Sequence, residues 1–315
     1  MKIQALNKTE WNNYLLGCSN ATFFHTPMWY DVWDAYSLTT SRCIQFTFES
    51  GNSAIFPHAI SPRFKRLFTE IVSSPAGTYG GLVSSTGLNA NEVDTAFKKI
   101  MNRKNLRIRT NPFDLILPIR PPVLKEDFTQ VLNLKQEYTS LVDTWSSNHK
   151  RAVKKGIKEG IEVTQAGTND WDEYYNVYIE TTKRWKRKVK YPYSKKLFEL
   201  IKTINSENCK LWVSKYKNKV VAGALCFYYN NHVVYWHGAA SERHFYLKPV
   251  QVLFSHIIKE AHSKKYHWFD FNPSSGLTGV VQFKEGFGTD KIRCDFINRE
   301  SLSFKMATKL ISLIR

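Results

Sequence analysis

The sequence has 315 residues, of which 43% are hydrophobic and 14% aromatic, so it is long enough for two domains with packed cores. No stretch approaches the roughly 18 consecutive apolar residues of a membrane span, and the N-terminus lacks the apolar core of a signal peptide. The five cysteines are scattered without metal-binding spacing. We therefore expect free thiols, a cytoplasmic protein and no bound metal.

The charge balance is strongly basic, with 45 lysines and arginines against 27 acidic residues and a formal net charge of +18. Such an excess favours an anionic partner, and the candidates are RNA, a nucleotide- or lipid-linked substrate, and an anionic membrane surface. A solvated basic surface without a dedicated partner is the alternative.

The N-terminal half predicts a mixture of helices and strands. Pro27 suits the first turn of a helix, on which Trp29 and Trp33 would share a face. Tyr79 precedes two glycines that allow a ligand to approach the backbone closely, so Tyr79 and Gly80 are candidate substrate-binding residues, with a common glycine turn as the alternative. The other predicted elements here are helices over 9–16 and 91–103 and strands over 43–48, 53–60, 106–110 and 138–142.

A basic helix is predicted over 144–160, between capping residues and a terminal glycine. It would carry Lys150, Lys154 and Lys158 along one side with Arg151 and Lys155 beside them, and pack through Val153 and Ile157. Stacked like charges repel unless they are solvated or meet an anion, so Lys150 and Arg151 are candidate phosphate contacts, with a wet helix face as an equal alternative. A second cluster, at 183–190, interleaves charge with Trp185 and precedes Tyr193. It suits either base stacking with phosphate binding or a lysine-rich loop beside a core tryptophan.

The C-terminal half has a recognisable order of elements. Helices are predicted over 170–184 and 194–205, a hairpin over 210–216 and 219–229, and a strand over 232–239. A helix over 249–263 and a strand over 266–271 follow. Helices, then antiparallel strands, then strand–helix–strand is the order of a GNAT acyltransferase domain.

Nine short pieces in a fixed order extend this likeness over nearly the whole chain. They are Phe-His-Thr-Pro-Met-Trp at 24–29, Thr-Tyr-Gly-Gly at 78–81, Ser-Asn-His-Lys-Arg at 147–151, Gly-Ile-Glu-Val at 160–163, Tyr-Pro-Tyr at 191–193, Gly-Ala at 238–239, Lys-Pro at 248–249, Phe-Asp-Phe at 269–271 and Phe-Lys-Glu-Gly-Phe-Gly at 283–288. In this order and spacing they resemble the FemAB-like acyltransferases, a branch of the GNAT superfamily. The resemblance implies an α/β fold with mixed sheets (α+β) in tandem GNAT-like domains, over 1–143 and 144–300, with an amphipathic helix at 301–315.

The resemblance also implies a function. We expect an N-acyltransferase that moves an acyl or aminoacyl group from acyl-CoA or aminoacyl-tRNA to an amine of a cell-envelope or polysaccharide precursor, by direct attack without an acyl-enzyme. The donor side departs from the usual CoA-binding pattern, because residues 243–250 contain no glycine and Pro249 removes one backbone donor. This departure favours either aminoacyl-tRNA or a CoA that is bound mainly by side chains. A catalytically inactive protein of the same fold that binds RNA or a nucleotide-linked ligand is the alternative.

Acyl transfer needs a neutral amine, a polarised carbonyl and a path for the amine proton. In the GNAT arrangement a strand N–H polarises the carbonyl, and the resemblance makes Gly238 and Ala239 the candidates for that role. Lys248 and Gln251 are the accompanying candidate donor-binding residues. His237 is the candidate proton relay, or a satisfied strand histidine. Three further candidates are Tyr246 for the leaving group, Asp270 as proton acceptor or turn cap, and Lys284 for the oxyanion or a donor phosphate.

The tail is predicted to be an amphipathic helix with Leu302, Met306, Leu310 and Leu313 on one face. Lys305 and Lys309 lie beside that face. It would either lie on an anionic membrane, at the inner face of which the protein would then work, or dock on its own domain. The oligomeric state is left open.

Overall fold

The computed structural model describes residues 1–64, 66–73, 75–113, 124–184, 192–205, 207–274 and 276–314, with the backbone alone described at 124 and 312–314. The chain divides into two compact units. Unit 1 is Met1–Phe128 with Arg293–Arg315, and unit 2 is Thr129–Ile292.

The elements follow one another in a mixed order. The strands are β1 (Lys2–Leu6), β2 (Thr40–Thr47), β3 (Ser53–Arg63), β4 (Phe68–Val72), β5 (Leu106–Arg109), β6 (Leu124–Lys125), β7 (Phe128–Asn133), β8 (Glu162–Gln165), β9 (Cys209–Tyr216), β10 (Lys219–Tyr229), β11 (His232–Ala240), β12 (Trp268–Asp270), β13 (Asp290–Arg293) and β14 (Phe296–Arg299). The helices are α1 (Lys8–Leu16), α2 (Pro27–Ser37), α3 (Ala90–Met101), α4 (Tyr138–Asp143), α5 (Ser147–Lys158), α6 (Asp170–Arg184), α7 (Lys195–Lys202), α8 (Pro249–Ser263), α9 (Thr278–Glu285) and α10 (Leu302–Ile314).

Within the described residues each unit contains a seven-stranded sheet. The order is β1-β2-β3-β4-β5-β14-β6 in unit 1 and β8-β9-β10-β11-β12-β7-β13 in unit 2. The fourth and fifth strands of each order run parallel, β4 with β5 and β11 with β12, while the neighbours on both sides of these pairs are antiparallel. The two mixed sheets confirm the predicted fold class.

The limits of the units differ from the predicted limits at 143 and 300. Strand β7 precedes residue 143, yet it pairs with β12 in the second sheet. Strand β14 follows residue 292 and pairs with β5 in the first sheet. Each sheet therefore gains a strand from a part of the chain that sequence order alone assigns to the other half.

Most helix ends have a local cause. Asn7 and Glu10 form a capping box at the start of α1, and the Thr26 hydroxyl accepts from the Trp29 N–H ahead of Pro27 at the start of α2. Trp29 and Trp33 share a face of this helix as predicted, with ring centroids 5.6 Å apart, and both side chains are buried.

The predicted strand over 138–142 is wrong, because these residues form helix α4. Leu141 is buried in the core of unit 2, and Tyr138 and Val142 pack against the same cluster. Their spacing of three and four residues is helical, and it outweighs the short apolar run that suggested a strand.

Helix α5 confirms the predicted basic helix but packs differently. Val153 contacts the core as predicted, whereas Ile157 is 60% exposed. The close contact is made by Gly156, where an added Cβ would lie 2.5 Å from Val252 and 2.8 Å from the carbonyl oxygen of Leu247. The glycine therefore lets α5 pack tightly against the start of α8.

Helix α10 is anchored in unit 1 by Phe304, which is buried against the rings of Phe64 and Phe68. The opposite side of this helix is open, with Leu302 80%, Met306 66% and Leu310 59% exposed. The side chain of Leu313 lies outside the described residues. All five cysteines are buried free thiols, as predicted. Among the helices described, none combines the length and apolar character needed to cross a bilayer.

Candidate active site

The sheet of unit 2 opens between β11 and β12. The two strands pair only over His232–Val234 and Trp268–Asp270, after which β11 continues to Ala240. On the other side of β11 the register with β10 shifts between Leu225 and Cys226, which leaves Trp236 as an extra residue. This β-bulge turns the end of β11 and helps to separate it from β12.

A cavity of about 450 Å³ lies at this opening, and all of its lining residues belong to unit 2. Strand β11 forms one wall, the first turns of α8 form another, and α9 with Phe271 closes it. The lining residues are Thr181, Arg184, Gly223, Tyr235, Gly238, Ala239, Ala240, Phe245, Lys248, Pro249, Val250, Gln251, Leu253, Phe254, Phe271, Gly279, Val280, Phe283 and Lys284.

Gly238 and Ala239, the candidate donor-binding residues, lie on the wall of the cavity. A Cβ added at Gly238 would lie 2.2 Å from the hydroxyl oxygen of Tyr235, so this position needs glycine for the tyrosine to lie across the strand. Burial raises the pKa of Tyr235, which keeps its hydroxyl protonated at neutral pH.

The N-terminus of α8 adjoins the cavity through Val250 and Gln251. Lys248 precedes it in the left-handed conformation with φ of 59°, and Pro249 occupies the first helical position. No side chain in the described part of the chain caps this turn, and no acidic residue lies in it. The remaining N–H groups and the helix dipole therefore favour an anion here, even without the glycines of a usual CoA-binding loop.

Lys284 reaches the cavity from α9 and is 3% exposed. Its Nζ donates to the carbonyl oxygen of Asn272 at 2.5 Å. Asp270 is completely buried, and its Oδ1 accepts from the Thr129 hydroxyl at 2.5 Å and from the Asn272 N–H at 2.8 Å. Asp270 thus holds the turn whose carbonyl binds Lys284, which matches the capping alternative for this carboxylate.

His237 does not line the cavity. Its Nδ1 lies 2.6 Å from the hydroxyl of Tyr174, and the rings of Tyr178 and Phe198 pack around it. Burial lowers the pKa of His237 to about 3, so the imidazole is neutral at physiological pH. Tyr193 lies in the same cluster, since its ring centroid is 6.2 Å from that of His237.

Three other predicted residues of unit 2 do not line the cavity. Tyr246 is 58% exposed on a 3₁₀ turn over Glu242–Leu247. The Lys150 ammonium donates to the Asp143 carbonyl oxygen at 2.9 Å, and Arg151 donates to the Asn148 side chain at 2.6 Å. Trp185 lies outside the described residues.

Tyr79 and Gly80 belong to unit 1 and have packing roles there. Tyr79 is fully buried against Phe24. A Cβ at Gly80 would lie 1.7 Å from the carbonyl oxygen of Ser73, so the glycine is required for this backbone contact. The close backbone approach that Gly80 permits within unit 1 is to the protein's own chain.

Sequence reasoning missed several residues of the cavity. Arg184 ends α6, and its guanidinium lies 4.8 Å from the centroid of the Phe245 ring. The sequence predicts Tyr235 in a strand and Phe254 in a helix, and it indicates no functional role for either. Arg184 alone carried a signal, as the first arginine of the 183–190 cluster.

The described residues contain no group of three or more His, Cys, Asp or Glu side chains placed to hold a metal ion. Among the described lining residues the charged ones are cations, namely Arg184, Lys248 and Lys284. The arrangement therefore suits an anionic ligand with an apolar part.

Comparison with known proteins agrees with this geometry. The acetyltransferase (GNAT) domain model matches residues 146–285. The fold is similar to FemX, at 10% identity and a TM-score of 0.70 over 94% of this chain and 97% of FemX. It is also similar to the C-terminal domain of a protein described as a lysylphosphatidylglycerol synthetase from Agrobacterium fabrum (11% identity, TM-score 0.59, 98% of this chain and 97% of that one). L-PGS from Bacillus licheniformis gives 11% identity and a TM-score of 0.56 over 98% and 96%. No curated protein sequence matches the chain.

Proposed function

We propose that the chain is an acyltransferase of the FemAB-like type that acylates an amine of a cell-envelope or polysaccharide precursor. The match of the acetyltransferase (GNAT) domain model to residues 146–285 and the FemX-like fold support this proposal. The observation that carries the proposal is the cavity between β11 and β12. It combines an unpaired strand edge, an uncapped helix N-terminus and a buried lysine in one place.

The strand edge suits a reacting carbonyl. Beyond Val234, β12 no longer pairs with β11, so N–H groups of the Gly238–Ala239 segment on that side are available to an oxyanion. A preformed backbone donor of this kind stabilises a tetrahedral intermediate in a water-poor site. The amine nitrogen forms the new bond to the carbonyl carbon, the bond to the carrier breaks, and the amine proton passes to the leaving group.

Direct attack is supported by the scarcity of nucleophiles at the cavity. Among the described lining residues no cysteine or serine occurs, and the hydroxyl of Thr181 donates to the carbonyl oxygens of Val177 and Ala240. The Tyr235 hydroxyl is held in its protonated form by burial. A cysteine or serine acyl-enzyme therefore has no attachment point among these residues.

The donor carrier is proposed to be CoA. The N-terminus of α8 offers N–H groups and a positive dipole to a pyrophosphate, and Lys248 and Arg184 add charge at the same end of the cavity. Helix α5 packs on the start of α8, so its exposed lysines supply further positive charge nearby. Aminoacyl-tRNA, whose phosphates would meet the same charges, remains the competing carrier.

Mass spectrometry separates the two carriers. Purified full-length protein is incubated with amine acceptors and, in parallel, with a panel of acyl-CoAs and a panel of charged tRNAs. Mass gain on an acceptor with CoA release is the expected result. Product from charged tRNA alone would reject CoA as the carrier, and product from neither panel would reject the enzymatic proposal.

The second candidate function is ligand binding without catalysis. Arg151, Lys154 and Lys155 on α5 favour it, because all three are exposed and place positive charge on one helix. It predicts salt-sensitive RNA binding that is lost when Arg151, Lys154 and Lys155 are changed to glutamine. Binding that survives this change would exclude α5 as the contact.

Peripheral membrane contact is the remaining element of the proposal. Helix α10 is anchored by Phe304 and leaves Leu302, Met306 and Leu310 exposed beside Lys305, which suits an anionic lipid surface. Flotation with anionic and neutral vesicles tests it. We expect binding to anionic vesicles to be lost when the three exposed apolar residues are changed to serine, and unchanged binding would refute the contact.

A further inference from the structure

The cavity of unit 2 has an exposed end and a buried end. Phe245 is 39% exposed and lies with the Arg184 guanidinium beside the start of α8. At the other end Leu253, Phe254 and Phe271 are at most 3% exposed. The wall therefore carries the Arg184 guanidinium at the exposed end and, apart from the buried Lys284, is apolar at the buried end.

The buried wall is rigid and aromatic. The ring of Phe254 packs against those of Phe271 and Phe283, with centroids 5.1 Å and 5.8 Å away, and against Tyr235 at 4.9 Å. Such a wall offers dispersion contacts and removal of apolar surface from water.

The charges of the cavity disfavour a cationic acyl group. Its charged lining residues in the described part of unit 2 are Arg184, Lys248 and Lys284, and none is a carboxylate. Asp270 is buried and binds Thr129 instead of facing the cavity. The ammonium of an aminoacyl group would therefore lose its hydration beside like charges and without a counter-ion.

The extent of the cavity disfavours a small acyl group. The cavity of about 450 Å³ reaches past Gly238 and Ala239 to the buried side chains of Leu253 and Phe271. An acetyl group at Gly238 and Ala239 would leave Leu253, Phe254 and Phe271 without contacts. Each methylene group that reaches this wall tightens binding roughly fourfold.

We infer that the transferred group is an uncharged apolar acyl chain longer than acetyl, with its carbonyl at Gly238–Ala239 and its chain against Leu253, Phe254 and Phe271. The inference rests on the proposed function, because it takes the cavity to be the acyl-donor site. It goes further in choosing among acyl groups, and it excludes aminoacyl donors.

The test is a calorimetric titration of the full chain with CoA and with acetyl-, propionyl-, butyryl-, hexanoyl-, octanoyl-, glycyl- and succinyl-CoA. We expect affinity to rise roughly fourfold per methylene until the wall is covered, and glycyl-CoA to bind more weakly than its uncharged isostere propionyl-CoA. Equal affinities from acetyl to octanoyl would overturn the inference. Tightest binding of glycyl-CoA, or of succinyl-CoA through Lys284, would also overturn it.

A variant tests the location of the chain. Val280→Phe adds bulk to the α9 wall, and Gln282→Phe adds the same bulk to an exposed position on the same helix that does not line the cavity. We expect Val280→Phe to flatten the chain-length series and Gln282→Phe to keep it, with thermal unfolding showing that both are folded. A series that survives Val280→Phe would contradict the assigned wall.

The titration also separates this inference from the proposed function. If CoA binds and the acyl chain adds nothing, the donor assignment stands and the inference fails. If neither CoA nor any thioester binds, the CoA donor site itself fails and the inference falls with it.

Discussion

The two units share one strand order but use the gap beside their parallel strands differently. In unit 2, β11 separates from β12 beyond Val234 and a cavity fills the space. In unit 1, the chain that follows β4 stays on β5, where Ser73 N–H donates to the Arg107 carbonyl at 2.9 Å and Gly80 N–H donates to that of Arg109 at 2.8 Å. The corresponding gap in unit 1 is thus occupied by protein.

The helices that follow β4 in unit 1 and β11 in unit 2 show the same contrast. Helix α3 of unit 1 begins with a capping box, in which the Asn89 side chain accepts from the Glu92 N–H at 3.0 Å and Glu92 accepts from the Asn89 N–H at 2.9 Å. Helix α8 of unit 2 has no such cap among the described side chains. The donors that α3 satisfies internally have no side-chain cap at α8, so we propose that one fold serves as scaffold in unit 1 and as a site in unit 2.

The largest effect on acyl transfer is expected for a change of Lys284, the buried cation of the cavity in unit 2. Lys284→Met keeps the apolar stem but removes the charge that binds the Asn272 carbonyl oxygen. We expect acyl transfer to fall roughly a hundredfold, as when one preorganised donor is lost, in a thiol-release assay. Lys210→Met is the matched control, since Lys210 is a buried lysine paired with Glu260 and does not line the cavity. It should lower stability and leave transfer near the wild-type rate, and equal activity of both variants would contradict the assignment.

Both units should lose stability in acid, because this loss depends on buried histidines and not on the gap beside the parallel strands. Burial lowers the pKa of His237 in unit 2 to about 3 and of His58 in unit 1 to about 4. As the pH falls, these histidines become protonated in the unfolded chain before they do in the folded one. The free energy of unfolding therefore falls as the pH drops from about 6.5 towards 4. We expect His237→Phe and His58→Phe each to reduce the loss of unfolding free energy between pH 7 and pH 5 by about 2 kcal/mol. Urea unfolding at the two pH values checks this, and an unchanged loss in either variant would refute it.

Local sequence signals located the elements that frame the site. Helix α8 was predicted at its observed limits because Pro249 suits a first helical turn and an apolar stripe follows it. Gly238, Ala239 and Lys284, the candidates taken from the family motifs, line the cavity. These features depend on neighbouring residues or on short motifs, which one sequence displays directly.

The shape of the site could not be predicted, because it depends on contacts distant in sequence. The bulge at Trp236 arises from the register of β11 with β10, and the opening depends on where β12 ends. His237 looked like a group at the acyl site, but the bulge and helix α6 place it beside Tyr174. Strand periodicity gives the alternation of side chains and does not reveal an extra residue in a ladder.

A charge placed at the uncapped helix tests the ligand side of the contrast. Gln251→Glu puts a carboxylate in the first turn of α8. There it interacts favourably with the helix dipole and repels an anionic donor. We expect CoA to bind roughly tenfold more weakly, while thermal stability stays the same or rises. Gln251→Asn, which adds no charge, is the control for side-chain shape. Unchanged CoA affinity in Gln251→Glu would mean that the phosphates bind elsewhere.

The reciprocal change in unit 1 should have the smallest effect and act on stability alone. Asn89→Ala removes the cap of α3, whose side chain accepts from the Glu92 N–H at 3.0 Å. Losing an N-cap costs about 1 kcal/mol, so the free energy of unfolding should fall by that amount in urea titrations. Asn89→Ser, which restores a capping hydroxyl, should recover most of it. CoA affinity should not change in either variant, because the N–H groups at the start of α3 are bound by the side chains of Asn89 and Glu92 in the wild type. A drop in CoA binding on loss of the cap would show that the two helices are not used differently, and the contrast between the units would fail.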